Sequence, residues 1–345
     1  MKSESNMKTG YNAVKNEGQG ASRPAIYAAA LLLAAGLAAR ADDTQIQTNA
    51  PATDASASAS TSTTNKPAEK GDPLPLHQIE GSGGIFSTLS AYIVNPPRDG
   101  ELIGRPSVGF AYVNLGHEVN LEAITLTEAP LKRLELGYGW NHLGLGDLPS
   151  ALGSGYHGPD DVQLHNFNAR YQFIKEGEFD QKWVPALTAG VHYKYNDSIS
   201  DINKAVGGAL ASHGISDDNG ADFTLYASKL FTQLPRPVLL EVGGRATRAV
   251  WDGLGGFTSG YNFVVEANAV VFITSRFALA AEYKQQPDSY QPVGDLVRLE
   301  SDWWTLDAAY VVNKHLTLAV GYGHFGNVLN HEANGVWGIT TKWEF

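Results

Sequence analysis

From about residue 105 to the C-terminus the chain repeats one motif twelve times: roughly ten to thirteen residues in which apolar and polar side chains alternate, then a turn or a polar loop. Successive side chains of an extended strand point to opposite faces, so each segment presents one apolar and one polar face. The segments are Arg105–Leu115, Glu118–Thr127, Leu131–Asn141, Asp161–Phe173, Val184–Tyr195, Asp222–Thr232, Val238–Val250, Tyr261–Ile273, Arg276–Gln285, Asp302–Val312, His315–Phe325 and Gly335–Phe345. Each is long enough to cross a bilayer as a tilted strand, and twelve is the even number that bacterial single-chain barrels require. No apolar stretch beyond residue 41 reaches the ~20 residues of a spanning helix, so a membrane is crossed here only by strands that close on themselves.

The connections fall into two kinds. Short turns are expected at Glu128-Ala129-Pro130, Leu234-Pro235-Arg236-Pro237, Thr274-Ser275 and Asn313-Lys314, and long polar segments at 142–160, 196–221, 251–260, 286–301 and 326–334. Their alternation is that of periplasmic turns and extracellular loops, and a β-sandwich would not show it. The exceptions are a longer turn at 174–183 and a short hairpin at Gly116-His117. The expected fold is all-β: an antiparallel transmembrane β-barrel of about twelve strands over residues 105–345.

The last strand carries a second signal. Trp337, Ile339, Thr341, Trp343 and Phe345 share one face, and Gly338, Thr340, Lys342 and Glu344 share the other. An aromatic face of this kind is an aggregation hazard in water but suits a lipid-facing girdle. With its terminal Phe, this strand looks like the one that outer-membrane barrels present to their assembly machinery, with Trp337, Ile339, Trp343 and Phe345 as the signal. An amphipathic strand of a soluble β-protein is the plain alternative.

The front of the chain reads as an export signal. An uncharged apolar run, Ala25 to Ala38, follows Lys2, Lys8, Lys15 and Arg23 and precedes Ala39-Arg40-Ala41, with small residues Ala39 and Ala41 where a signal peptidase reads. Residues 1–41 are thus expected to be a signal peptide for the general secretory route, with an uncleaved anchor as the alternative. Residues 42–72 are rich in Ser, Thr, Ala and Pro with almost nothing large and apolar to bury, the composition of a disordered periplasmic linker. The chain has no Cys, which rules out disulfides and thiolate chemistry, and its net charge of -11 argues against nucleic acid as a partner. No cofactor is expected.

Carrying the alternation around the barrel turns Arg133, Glu135, Asn168, Arg170, Gln172, His192, Lys194, Glu241, Arg245, Glu266, Glu282, Lys284, Asp307, Lys342 and Glu344 inward. Two accounts of them stand. Arg133/Glu135, Glu241/Arg245 and Glu282/Lys284 form structural ion pairs that fill a narrow barrel, or the charges line a conducting or binding path. Residues 73–104 have mixed character: Ser87–Val94 reads as a strand, which would be a thirteenth, or the segment sits inside the barrel as a plug.

The stretches QIEGSGGIFSTLSAYIVNP (78–96), LKRLELGYGWNHLGLG (131–146) and KWVPALTAGVHYKYN (182–196) resemble an uncharacterised, porin-like family of proteobacterial outer-membrane proteins, catalogued as a domain of unknown function. The resemblance covers most of residues 77–345. It implies an outer-membrane barrel and supplies no functional residues.

Candidate rim residues for catalysis or metal binding are His142, His157, Asp160, Asp161, His324 and His331, but none has a nucleophile or metal-ligand spacing beside it. They read as solvated loop residues, and an enzyme is not expected. Asp217-Asp218 lacks the spacing of a calcium loop. Three readings remain: a channel or uptake barrel for a small solute, a closed structural or adhesion barrel whose loops meet lipid, lipopolysaccharide or partners, and a rim hydrolase.

Overall fold

The computed structural model describes residues 75–294 and 297–345; the expected signal peptide with Ala39 and Ala41, and the expected linker 42–72, lie outside them. Twelve long strands form: β1 (Ser107–Gly116), β2 (Val119–Leu131), β3 (Leu134–Gly144), β4 (Asp161–Ile174), β5 (Ala186–Asn196), β6 (Asn219–Phe231), β7 (Val238–Ala249), β8 (Phe257–Phe272), β9 (Phe277–Lys284), β10 (Trp303–Val311), β11 (Leu316–His324) and β12 (Val336–Glu344). Each pairs antiparallel with its sequence neighbours, and β12 returns to β1 with Trp337 opposite Asn114 and Glu344 opposite Ser107. The sheet therefore has no open edge, the condition for carrying strands through hydrocarbon.

The outward face is banded. Leu126, Leu225, Val242, Leu306, Val320 and Ile339 are exposed near the middle of their strands. Tyr195, Tyr261, Phe263, Trp304, Tyr322 and Trp337 are exposed towards the long-loop end, and Tyr171, Phe173, Trp343 and Phe345 towards the short-turn end. An aliphatic belt between two aromatic girdles is the profile of a barrel wall against lipid. On β12 the inward set is Gly338, Thr340 and Lys342, all buried, as its alternation predicts.

Three expectations are corrected. Glu128-Ala129-Pro130 is the end of β2, where the register shifts between Glu128 and Leu131, and the turn falls at Lys132-Arg133. A register irregularity tolerates the proline because no ladder donor is needed there. Arg133 accordingly leaves the lumen set: it sits in that turn, half-buried, and pairs with Glu178 at 2.7 Å. Ser87–Val94 forms bends and one isolated bridge, Gly84 to Leu89, and among the described residues adds no thirteenth spanning strand.

Long connections carry local structure of their own. Helical turns occupy Leu148–Ala151, Ile199–Ala205 and Ala209–Ser212, and Ile215–Asp217 extends the sheet against the start of β8. The 250–256 connection is buried throughout, folded over the lumen at the long-loop end.

Candidate functional site

Every residue from His77 to Asn95 is buried, and the surfaces burying this segment are the inward faces of the barrel strands. Close approach of segment and wall is made possible by glycine. On β3 the inward positions after Glu135 are Gly137 and Gly139, and a Cβ on them would lie 1.9 Å from the Gly81 carbonyl oxygen and 2.5 Å from that of Glu80. Gly81 itself has φ +87 and would drive a Cβ to 2.3 Å from the Tyr138 carbonyl oxygen. Three glycines thus let two backbones touch where any side chain would part them.

The segment has almost no regular structure, so its backbone groups need partners from the wall. Glu135 accepts the Gly83 and Val94 N–H groups at 3.0 and 2.8 Å and pairs with Arg170 at 2.9 Å. Glu282 accepts the N–H groups of Ser87 and Thr88 at 3.0 and 2.7 Å, together with the Thr88 hydroxyl at 2.6 Å. Glu241 accepts the hydroxyls of Ser90 and Ser228 at 2.5 and 2.6 Å. In the other direction, Arg170 donates to the Gly83 carbonyl at 2.7 Å and to that of Ser90, and Asn141 donates to that of Ile79 at 2.9 Å. Wall carboxylates hold the segment's donors, and wall cations and amides hold its acceptors.

Towards the long-loop end lies a buried charge cluster. The Glu80 carboxylate meets Lys194 of β5 at 2.5 Å and Arg245 of β7 at 3.0 Å. Asp222 of β6 meets the same two cations at 2.9 Å each. Arg245 also pairs with Glu266 of β8 at 2.8 Å, and Lys284 of β9 reaches Asp252 in the 250–256 connection at 2.6 Å. Tyr226 donates its hydroxyl to Glu266. His192 lies beside Asn168 and Thr224 at 2.7 and 3.1 Å.

Alternation along strands does not produce the expected pairs Arg133/Glu135, Glu241/Arg245 and Glu282/Lys284; the ionic contacts run across strands and to the segment instead. Same-face residues two apart on a strand, as Glu282 and Lys284 are, lie about 7 Å apart and those four apart, as Glu241 and Arg245 are, about 13 Å, whereas facing neighbours on paired strands are about 5 Å apart. Glu80, Asp222 and Asp252 lie outside the inward set expected from the sequence. Asp222 alternates with inward Thr224, Tyr226 and Ser228, a legible pattern, but nothing local marks Glu80 or Asp252 as partners of Lys194 and Lys284.

At the short-turn end the segment stops short of filling the barrel. A cavity of 620 Å³ remains, lined by Tyr92, Leu239, Glu241, Val270, Asp307 and Lys342 among others, and bordered by the turn residues Arg276 and Lys314. Asp307, also expected inward, accepts from the Thr305 hydroxyl at 2.8 Å.

Three of the rim histidines, His142, His324 and His331, pair with carboxylates or aromatics. His142 lies 3.0 Å from Asp161, His331 lies 2.7 Å from Asp147 and stacks on His117, and His324 stacks on Trp304. Hydrogen bonding from His331 holds the Asp147 carboxyl below its usual range, as that from Arg133 does for Glu178. Among the described residues no three His, Asp or Glu side chains converge as a metal site.

A family model described as "Protein of unknown function (DUF3034)" matches residues 75–340, lumen segment and barrel together. The chain belongs to this family. No curated protein matches this family member. Among solved structures it is similar to the KdgM porin (9% identity, 69% of this chain and 99% of that one, TM-score 0.43). It is also similar to the COG4313 outer membrane channel from Pseudomonas putida F1 (12%, 71% and 98%, 0.39) and to outer membrane phospholipase A from Escherichia coli (10%, 70% and 98%, 0.34).

Proposed function

We propose that this barrel is an outer-membrane channel for small solutes, closed by residues 75–97 when they occupy the lumen. The observation that carries the reading is the chemistry of the obstruction. A barrel that is merely a scaffold can fill a narrow lumen with its own side chains. Here β3 instead presents Gly137 and Gly139 to leave room for a separate chain segment. That segment is held by charged and polar wall groups such as Glu135, Arg170 and Glu282, for which water can substitute. Behind it the 620 Å³ cavity offers a vestibule at the short-turn end.

On this reading Glu135, Arg170, Lys194, Glu241, Arg245, Glu266, Glu282, Lys284 and Asp307 hold the segment in the closed state and line the path in the open one. Outer-membrane lipid and lipopolysaccharide surround the barrel, and the barrel-assembly machinery reads Trp337, Ile339, Trp343 and Phe345 of β12. The buried ion pairs that tie Glu80 to Lys194 and Arg245 favour a second reading, a permanently closed structural or adhesion barrel acting through its long loops.

Planar-bilayer conductance of the refolded chain tests the two, with residues 42–104 present and deleted. Current steps that appear or multiply on deletion support the plugged channel. Silence in both forms, with heat-modifiable migration reporting a folded barrel, removes the channel and leaves the structural barrel.

A further inference from the structure

Glu80 is the segment's charged contact with the outer cluster, and its surroundings are unusually rich in donors. Lys194 Nζ lies 2.5 Å from Oε1, and Arg245 Nη1 lies 3.0 Å from each carboxylate oxygen. All three residues are 1% exposed or less. Arg245 Nη2 is buried in the same place with no hydrogen-bond partner. Among the strand residues of the cluster, three cations (Lys194, Arg245, Lys284) face two carboxylates (Asp222, Glu266), an excess of one positive charge on the wall itself. Asp252, which takes Lys284, belongs to the connection folded over the mouth and not to the wall. When the segment leaves, Lys194 keeps Asp222 and the Asp252 carbonyl and Arg245 keeps Asp222 and Glu266, but both lose the Glu80 carboxylate they share.

We infer that Lys194 and Arg245 form a carboxylate-recognition site, filled by Glu80 in the closed state and by the carboxylate of an anionic solute when the segment departs. Guanidinium and ammonium groups side by side are the usual means of holding a carboxylate away from water. Both residues lie in the long-loop half of their strands, so a solute entering from that side meets this site once past the 250–256 connection. A carboxylate that replaces Glu80 stabilises the open arrangement and not the closed one, and so shifts the population towards opening. Glu80 is then a built-in competitor of the solute. The role of the solute rests on the channel reading; the recognition site does not.

The test is chemical rescue in the full chain. Glu80→Ala removes the carboxylate and leaves a space that formate fills. The variant should melt roughly 5–10 °C below the parent, read by heat-modifiable migration, as a broken buried pair predicts. Formate should restore most of that loss in a saturable way, chloride at equal ionic strength should not, and Lys194→Met in the same background should abolish the rescue. Equal rescue by chloride, or rescue that survives Lys194→Met, overturns the inference. If Glu80→Ala does not refold, the same comparison is read as refolding yield. Glu80→Gln, whose amide occupies the space, should melt low and gain nothing from formate; rescue there also overturns the site. Bilayer currents separate this from the channel reading. Rescue with no current in any variant keeps the site and removes the channel, whereas Glu80→Ala currents without rescue keep the channel and remove the site.

Discussion

Glu135 gathers two backbone N–H groups of the lumen segment and the guanidinium of Arg170, all in a place with 1–2% exposure. Its removal strands a buried cation, so Glu135→Ala should cost about 3–5 kcal/mol in denaturant or thermal unfolding. Lys132→Ala breaks an ion pair of similar appearance with Asp99, but both side chains are more than half exposed, and the expected change is about 1 kcal/mol or less. Comparison of the two midpoints checks whether burial sets the difference. Glycine gives a second contrast. Gly137→Ala puts a Cβ 1.9 Å from the Gly81 carbonyl and should displace the segment, raising conductance. Gly260→Ala has open space around its Cβ and should leave both conductance and melting unchanged.

At the scale of the element, each strand serves two solvents at once. Leu306 of β10 is 57% exposed near the strand's middle, while its neighbours Thr305 and Asp307 are buried in the lumen. Leu306→Arg should therefore destabilise the barrel in lipid by about 2–4 kcal/mol, measured by reversible unfolding in vesicles, with a smaller cost for the same change at either end of the strand. Between elements, the 145–160 and 325–335 connections meet through His331 and Asp147 at 2.7 Å. Asp147 has its pKa lowered by that hydrogen bond from 3.8, so the contact is favoured above that value and lost as pH falls through the folded one. Amide protection in these connections, corrected for the intrinsic exchange rate at each pH, should fall below about pH 4 in the parent, and Asp147→Asn should show the low protection already at neutral pH.

For the whole molecule, the wall ladder is continuous without the lumen segment, because each strand is paired on both sides by other strands. Deleting residues 42–104 should leave a barrel that still migrates as folded but melts at lower temperature. Water then enters and hydrates Glu135, Glu241 and Glu282 in place of the lost donors. Loss of folded migration on deletion would mean that the segment is part of the barrel's core and not a removable stopper.

Alternation of side chains, the even strand count and the uneven connections are local features, set by a period of two and a bilayer's thickness, and they were legible residue by residue. So was the inward direction of Arg170, Lys194, Glu241, Arg245, Glu266, Glu282 and Lys284, because a closed wall leaves each strand residue only two directions. Partners were not legible. Arg245 meets Glu80 across 165 positions of sequence and Glu282 meets Thr88 across 194, and no pattern within a strand encodes which distant group will sit opposite. Arg133 shows the same limit at short range, since a register shift near Pro130 moved the turn onto it. A barrel with a charged lumen follows from alternation along each strand, whereas the occupied lumen follows from the folded chain, because occupancy depends on contacts between segments far apart in the sequence.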